Sequence, residues 1–594
     1  MCERAFPALL LLVACGSPVD ADRVGTSAAG WAPAAKADTV CATGGTYATI
    51  QSAINAASSG ATITICAGTY KERLTVSKSL TLDGAGATTV LDANKSGSAI
   101  TLTGGASLTL KDVKVTNART AGVNCTSSTL TASNVSFVSN KGSSGGGIYA
   151  KSCALSISAS AFTTNTASSR GGGIYAESCS GTASGNTFSG NKASSKGGGV
   201  AAKTGTLTLS GNTFTDNAGS SGGGVYTEDD GDITGNTFSS NDAVYHGGGV
   251  YSEAGDGDYT GNTFSDNYAG EDGGGLYLNK SGAYVADNDF TGNYALDDAG
   301  ALRALTSTAT IEDNTFQSNT AADSGGAVKL SHKYGTFSRN TLVDNAAGTT
   351  GGGLYLDEDT TPVEDCHFEG NTAATGAGMY QSSGWRTTEV TDTAFVDNVA
   401  SGNGGGISLY LVPYGVHLVR AEFDGNTAQS GAGLHADTSV TEVDNALFHW
   451  NVASSSGGGV YASGSETTVT NSVFYRNSAA SGAAIYVSGD TGDGVRNSVV
   501  YKNRAGYAVT LASGALTWKY NNHYKNDGGE YSGMSNPAGS NGNVNIYPYF
   551  GDASAGDFTL TASSKMIDAG DPAILDADGS RSDMGVFGGP TGVW

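Results

Sequence analysis

The chain alternates short apolar and polar positions in a phrase that returns about every 26 residues. One half of the phrase is Gly-Gly-Gly, an aliphatic residue and often Tyr; the other half is Phe-x-x-Asn. The aliphatic position recurs at Ile148, Ile174, Val200, Val225, Val250, Leu276, Leu302 and Val328, and on to Ile485. The aromatic position recurs at Phe137, Phe162, Phe188, Phe214, Phe238, Phe264, Phe290 and Phe316, and on to Phe474, with Asn three residues later in nearly every copy. In the copy from Gly197 to Asn217, Val200 centres one short strand. Leu207 and Leu209 alternate with Thr206, Thr208 and Ser210 in a second strand, and Asn212-Thr213-Phe214 opens a third that Asn217 ends. So regular a period predicts one array of stacked units rather than several globular domains.

Three short strands per unit, Gly and Asn at the corners and no helical stretch predict an all-β fold, the coil of a parallel β-helix. Stacking such coils pairs each strand with its equivalents above and below. Aliphatic and Phe ladders then run inside, with Asn amides bonded to one another at the turns. The Gly triplet supplies positive φ or close backbone packing at a corner. Leu207-x-Leu209-x-x-Asn212-x-Phe214 mimics a leucine-rich repeat, but other units do not keep that phrase and none has a helix-forming half. A left-handed hexapeptide helix needs a six-residue sub-period, which is absent. Near the start, Ile50, Ala53, Ile54 and Ala57 share one helical face, so a short helix over Thr49 to Ala57 is expected to plug the first coil. Roughly 18 coils, about 85–90 Å of stacked strands, are expected.

Several segments resemble known families. Leu12-Val13-Ala14-Cys15, closing an apolar run after Arg4, resembles the lipobox of bacterial lipoproteins. That resemblance implies a signal peptide over 1–15, lipidation at Cys15 and an outer-membrane anchor, because Gly16 follows the Cys. Residues 16–38 then read as a flexible tether. Gly68-Thr69-Tyr70-Lys71-Glu72 and Leu80-Thr81-Leu82-Asp83-Gly84 resemble the opening of pectin-lyase-like β-helices. The repeats over roughly 120–505 resemble those of chlamydial polymorphic outer-membrane proteins. Gly556-Asp557-Phe558, Ile567-Asp568-Ala569-Gly570 and Gly588-Gly589-Pro590 resemble the terminal segment of bacterial right-handed β-helix surface proteins. Together they imply a right-handed coil over 39–550, a C-terminal capping segment over 551–594, and a lipid anchor in place of an autotransporter barrel. The function implied is non-enzymatic: adhesion or glycan binding at the cell surface, with a polysaccharide or surface glycoprotein as partner. A polysaccharide lyase or hydrolase and a structural envelope spacer are the alternatives.

Composition narrows the partners. Acidic residues outnumber basic ones 55 to 31, and the formal net charge of -24 argues against nucleic acid and anionic lipid as partners. Gly, at 89 residues, is about twice its average usage but periodic, so the chain is neither collagen nor a linker. An exported chain meets an oxidising compartment. Cys41 and Cys66 flank the first helix and form one expected disulfide. Cys153 and Cys179 each lie five residues after the aliphatic position and form a second, Cys153–Cys179. Cys366 replaces a ladder Asn and reads as a core thiol.

Candidate chemistry falls on one face. The residue after each aliphatic position points outward, and that column holds Tyr149, Tyr175, Tyr226, Tyr251, Tyr277, Tyr355 and Tyr380. It reads either as a self-stacking ladder or as a sugar-binding stripe. Arg303 and Lys329 interrupt the column, and Glu253 and Asp357 lie two residues further along the same face. Carboxylates beside a base are what a calcium-assisted lyase requires, so these four are the catalytic candidates. No cofactor is required otherwise. Asp576, Asp578 and Asp583 read as either a calcium loop or a solvated capping turn. His246, His332, His417, His435, His449 and His523 share no metal-ligand spacing and read as surface residues.

Overall fold

The computed structural model describes residues 38–592 apart from 42, 229, 333 and 334. The signal peptide, Cys15 and all but the last residue of the tether lie outside them. The described chain is a solenoid of parallel strands, with 20, 19, 19 and 15 strands in its four faces. In the representative coil, Val200–Lys203 lies on the tyrosine face and Thr206–Ser210 on the long sheet. Thr213–Thr215 lies on the phenylalanine sheet, and Ala218–Gly219 forms a fourth, two-residue strand. That fourth strand is absent from the three-strand unit expected, because two residues are too few to show alternation. Register is kept from coil to coil: Val200 pairs with Val225, and Phe214 with Phe238.

Each conserved phrase position has a packing cause. The Phe rings stack nearly face to face, as in Phe188–Phe214 at 4.6 Å and 5°. The Asn after each Phe is buried and satisfies three groups at once. Asn217 Nδ2 donates to Phe188 O at 2.9 Å and to Asn241 Oδ1 at 3.0 Å, while its backbone N–H donates to the same Oδ1 at 3.1 Å. A second ladder, from Asn186 through Asn340, does the same one corner earlier. Cys366 takes the next place in that ladder, and burial pushes its thiol up to about 12. The triplet needs three glycines for three reasons. Gly197 has φ +67°, a Cβ on Gly198 would sit 2.4 Å from Gly223 O, and a Cβ on Gly199 would sit 2.9 Å from the Phe214 ring.

The helix forms over Ile50–Ala56 and buries Ile50, Ala53 and Ile54. Thr49 caps it by accepting from Ser52 N, and the Glu72 carboxylate accepts from Ile50 N and Gln51 N at 2.9 and 3.0 Å. Among the described residues no helix is long and apolar enough to cross a membrane. Cys41 and Cys66 are bonded, as expected. The second bridge is Cys125–Cys153, not Cys153–Cys179. Cys153 and Cys179 hold equivalent corner places in adjacent coils, so their side chains run alongside each other, and Cys153 N–H donates to Cys179 Sγ at 3.3 Å. Cys125 comes from the strand of the preceding coil, facing inward across that corner, with its Cα 6.5 Å from that of Cys153.

The last segment packs along the flank of the final coils. Phe550, Phe558, Met566, Met584 and Val586 cover the outward Leu447, Val473 and Val499 of the phenylalanine sheet. Corner asparagines fix it: Asn445 Nδ2 donates to Val586 O, Asn471 Nδ2 to Asp583 O, and Asn497 Oδ1 accepts from Asp571 N.

Candidate binding groove on the long sheet

The tyrosine face is not the open stripe that strand alternation suggested. Tyr175, Tyr226, Tyr251 and Tyr277 are buried, at 6%, 1%, 8% and 3% exposure. The loop before each triplet folds back over this face: a Cβ on Gly222 would meet Val225 O at 2.2 Å and Tyr226 N at 2.9 Å. Tyr149, Tyr355 and Tyr380 are half-buried. From Tyr175 to Tyr277 the column is covered, with Tyr251 and Tyr277 stacked at 5.0 Å.

Beneath that cover the four catalytic candidates separate into two clusters. Glu253 lies against the Tyr226 hydroxyl and 3.0 Å from Lys196 Nζ, and the hydroxyl, with Lys196, holds its carboxyl below the usual range. Arg303, Lys329 and Asp357 form the other cluster. Lys329 Nζ sits 2.6 Å from Asp298 and 3.8 Å from Asp357, and 4.6 Å from the centre of the Tyr355 ring. Burial pushes the Asp298 carboxyl up, against the pull of Lys329. Arg303 Nη1 donates to the carbonyls of Ala304 and Lys329. Each candidate carboxylate already faces a cation, Glu253 that of Lys196 and Asp357 that of Lys329, while Arg303 is taken up by backbone carbonyls; Glu253 and Asp357 keep 39% and 28% of their side chains exposed.

The Asp-rich loop turns its carboxylates on itself. Asp578 accepts from Ser580 N, while Asp576 accepts from the backbone N–H groups of Asp583 and Gly589. Asp583 in turn accepts from Asp568 N. Those bonds are what the capping-turn alternative requires.

Three of the six histidines expected at the surface, His435, His449 and His523, are instead buried. Burial drives His435 and His523 down to about 4. His417 was missed altogether as a site residue. It stands on the outer face of the long sheet, in register with Glu389 on one side and Glu442 on the other. Its Nδ1 is 2.9 Å from Glu389 and its Nε2 is 3.1 Å from Asp444, and Asp444 with Glu389 raises the imidazole to about 9. Local spacing hides this set because its members lie one coil apart. Folding the sequence on its repeat would have aligned them.

From there a groove of about 370 Å³ runs down the sheet, lined by Glu442, Thr468, Thr470, Arg496, Lys519 and Asp571. Asp571, in the terminal segment, forms one wall. Asp444, Thr470, Arg496 and Lys519 are consecutive register partners. Arg496 Nε donates to Thr470 Oγ1 at 3.2 Å, and neither Arg496 nor Lys519 forms an ion pair among the described residues. At the other end, the loops leading into Thr388–Thr391 and Val416–Val419 carry Trp385 and Tyr414, exposed at 47% and 60%. Thr387 Oγ1 donates to Tyr414 O at 2.9 Å and ties the two loops together.

Comparison with curated proteins gives no match. Among solved structures, an alginate lyase of the PL6 family is similar at 9% identity and a TM-score of 0.20, over 83% of this chain and 98% of that one. A protein-family model described as a right handed beta helix region matches three overlapping stretches, 121–293, 221–360 and 272–417. Together they run from 121 to 417, half of the 594 residues. The parallel register of every coil in that span agrees with the match, and the chain belongs to the right-handed β-helix family.

Proposed function

We propose that this chain is a non-enzymatic glycan-binding protein of the cell surface, exported and held through a lipid on Cys15. Its contact surface is the groove on the long sheet, not the tyrosine column. The observation that carries this reading is the pair Arg496 and Lys519, in no ion pair among the described residues and one strand spacing apart in a chain of net charge -24. Two cations at ~4.8 Å along an open groove suit a linear polymer bearing carboxylates. Trp385 and Tyr414 supply exposed rings for sugar faces several coils away along the same sheet, before Thr388–Thr391 and Val416–Val419.

A lyase or hydrolase acting in this groove is the second reading, favoured by His417 lying among Glu389, Glu442 and Asp444. Incubating the protein with a panel of neutral and acidic polysaccharides, with and without calcium, separates the two. The binding reading expects retention of acidic polymers with chain lengths unchanged. Shortened chains would replace it with the enzymatic reading.

A further inference from the structure

His417 stands between carboxylates on the two adjacent strands of the long sheet. Three outward positions on two adjacent strands converge there: His417, Glu442 and Asp444 each present one ligand atom, all within 4.8 Å of one another. The imidazole is oriented from behind by Glu389, 2.9 Å from Nδ1. A carboxylate on one ring nitrogen fixes the tautomer that presents a lone pair at the other, the arrangement metal-bound histidines use. Nε2 faces Asp444 Oδ2 at 3.1 Å. Neighbouring ligands on a tetrahedral ion with bonds near 2.0–2.1 Å stand about 3.3 Å apart, so an ion in place of the bridging proton fits between His417 Nε2 and Asp444 with little movement, and Glu442 closes in from within 4.8 Å. Glu442 also lines the groove, which leaves the remaining coordination position open to it.

We propose that His417 Nε2, Glu442 and Asp444 bind one divalent transition-metal ion of the zinc class, with Glu389 as the outer carboxylate that orients the imidazole. The donor set selects the ion. Imidazole with two carboxylates suits zinc, cobalt or nickel, whereas calcium and magnesium take oxygen ligands in larger number. Three protein ligands and one open position make a site that can accept a water or a ligand oxygen. The inference stands apart from the glycan reading, since the ion alone is the probe.

The test is titration of the metal-stripped protein with ZnCl2 by calorimetry and with CoCl2 by visible absorption. One ion per chain, bound at micromolar concentration or tighter, is expected, with a cobalt spectrum showing a nitrogen ligand. His417→Gln and, separately, Asp444→Asn should abolish that binding while thermal melting shows the fold retained. Glu389→Gln should weaken it roughly 10–100-fold. Absence of saturable binding would overturn the proposal, as would unchanged binding in His417→Gln. So would loss of the ion in His449→Gln, whose imidazole sits 2.9 Å from Glu422 on another sheet. Calcium competing on equal terms with zinc would also overturn it.

Discussion

Single residues in this molecule matter chiefly through what the stacked coils bury with them. His523 is 1% exposed and neither ring nitrogen has a partner among the described residues; His435 stacks on Tyr461 at 4.9 Å. Burial holds both near a pKa of about 4, below the ordinary value of 6.5. At these two sites the unfolded chain therefore binds more protons between about pH 6.5 and 4, so their burial costs nothing above that window and lowers stability as pH drops through it. Each site contributes at most about 3 kcal/mol. Urea midpoints measured at pH 7.5 and 5 should fall on acidification, and His523→Leu should remove part of that fall. Lys329 makes a second residue-scale case. Lys329→Met leaves Asp298 in a covered site without its cation, at an expected cost of about 3 kcal/mol. Adding Asp298→Asn should restore most of it, which a double-mutant comparison of denaturant midpoints would show.

At the scale of the element, the repeat phrase is a set of contacts between coils rather than within them. A Cβ on Gly198 would lie 2.4 Å from Gly223 O and 2.5 Å from Ala218 N, both backbone atoms that cannot yield independently. Gly198→Ala should cost at least about 2 kcal/mol. Asn267→Ala should cost about 3 kcal/mol, because it strips the acceptor from Asn241 N and Nδ2 and leaves Phe238 O unpaired. Hydrogen exchange at coils on either side of each substitution would locate the loss. The strands, both Asn corners and the capping helix were legible in the sequence because each is written in the period itself. The fourth strand was not, since two residues carry no alternation. Nor was the burial of the tyrosines: alternation told which side of the strand they take, but not that the connecting loop returns over that side. The second disulfide failed for a related reason. Equal offsets identified neighbouring places for Cys153 and Cys179, whereas bridging requires side chains that approach, as that of Cys125 does.

For the whole molecule, a solenoid offers several long faces, and its function depends on which one stays open. The middle of the tyrosine face, from Tyr175 to Tyr277, is closed by its own loops, and the last coils of the phenylalanine sheet are covered by the terminal segment. On the long sheet that same segment supplies a wall and leaves a groove lined by Arg496 and Lys519 together with the acids Glu442 and Asp571. This site was invisible to local motif reading because its charged groups come mostly from successive coils and from the terminal segment, far apart in sequence. The most direct test is affinity electrophoresis through gels containing a polyuronate, comparing the unmodified protein, Arg496→Gln/Lys519→Gln and Tyr149→Ser. The account predicts retardation that the groove pair abolishes and the tyrosine-face substitution leaves unchanged. Retardation that survives Arg496→Gln/Lys519→Gln but is lost in Tyr149→Ser would contradict it and return the contact surface to the tyrosine column.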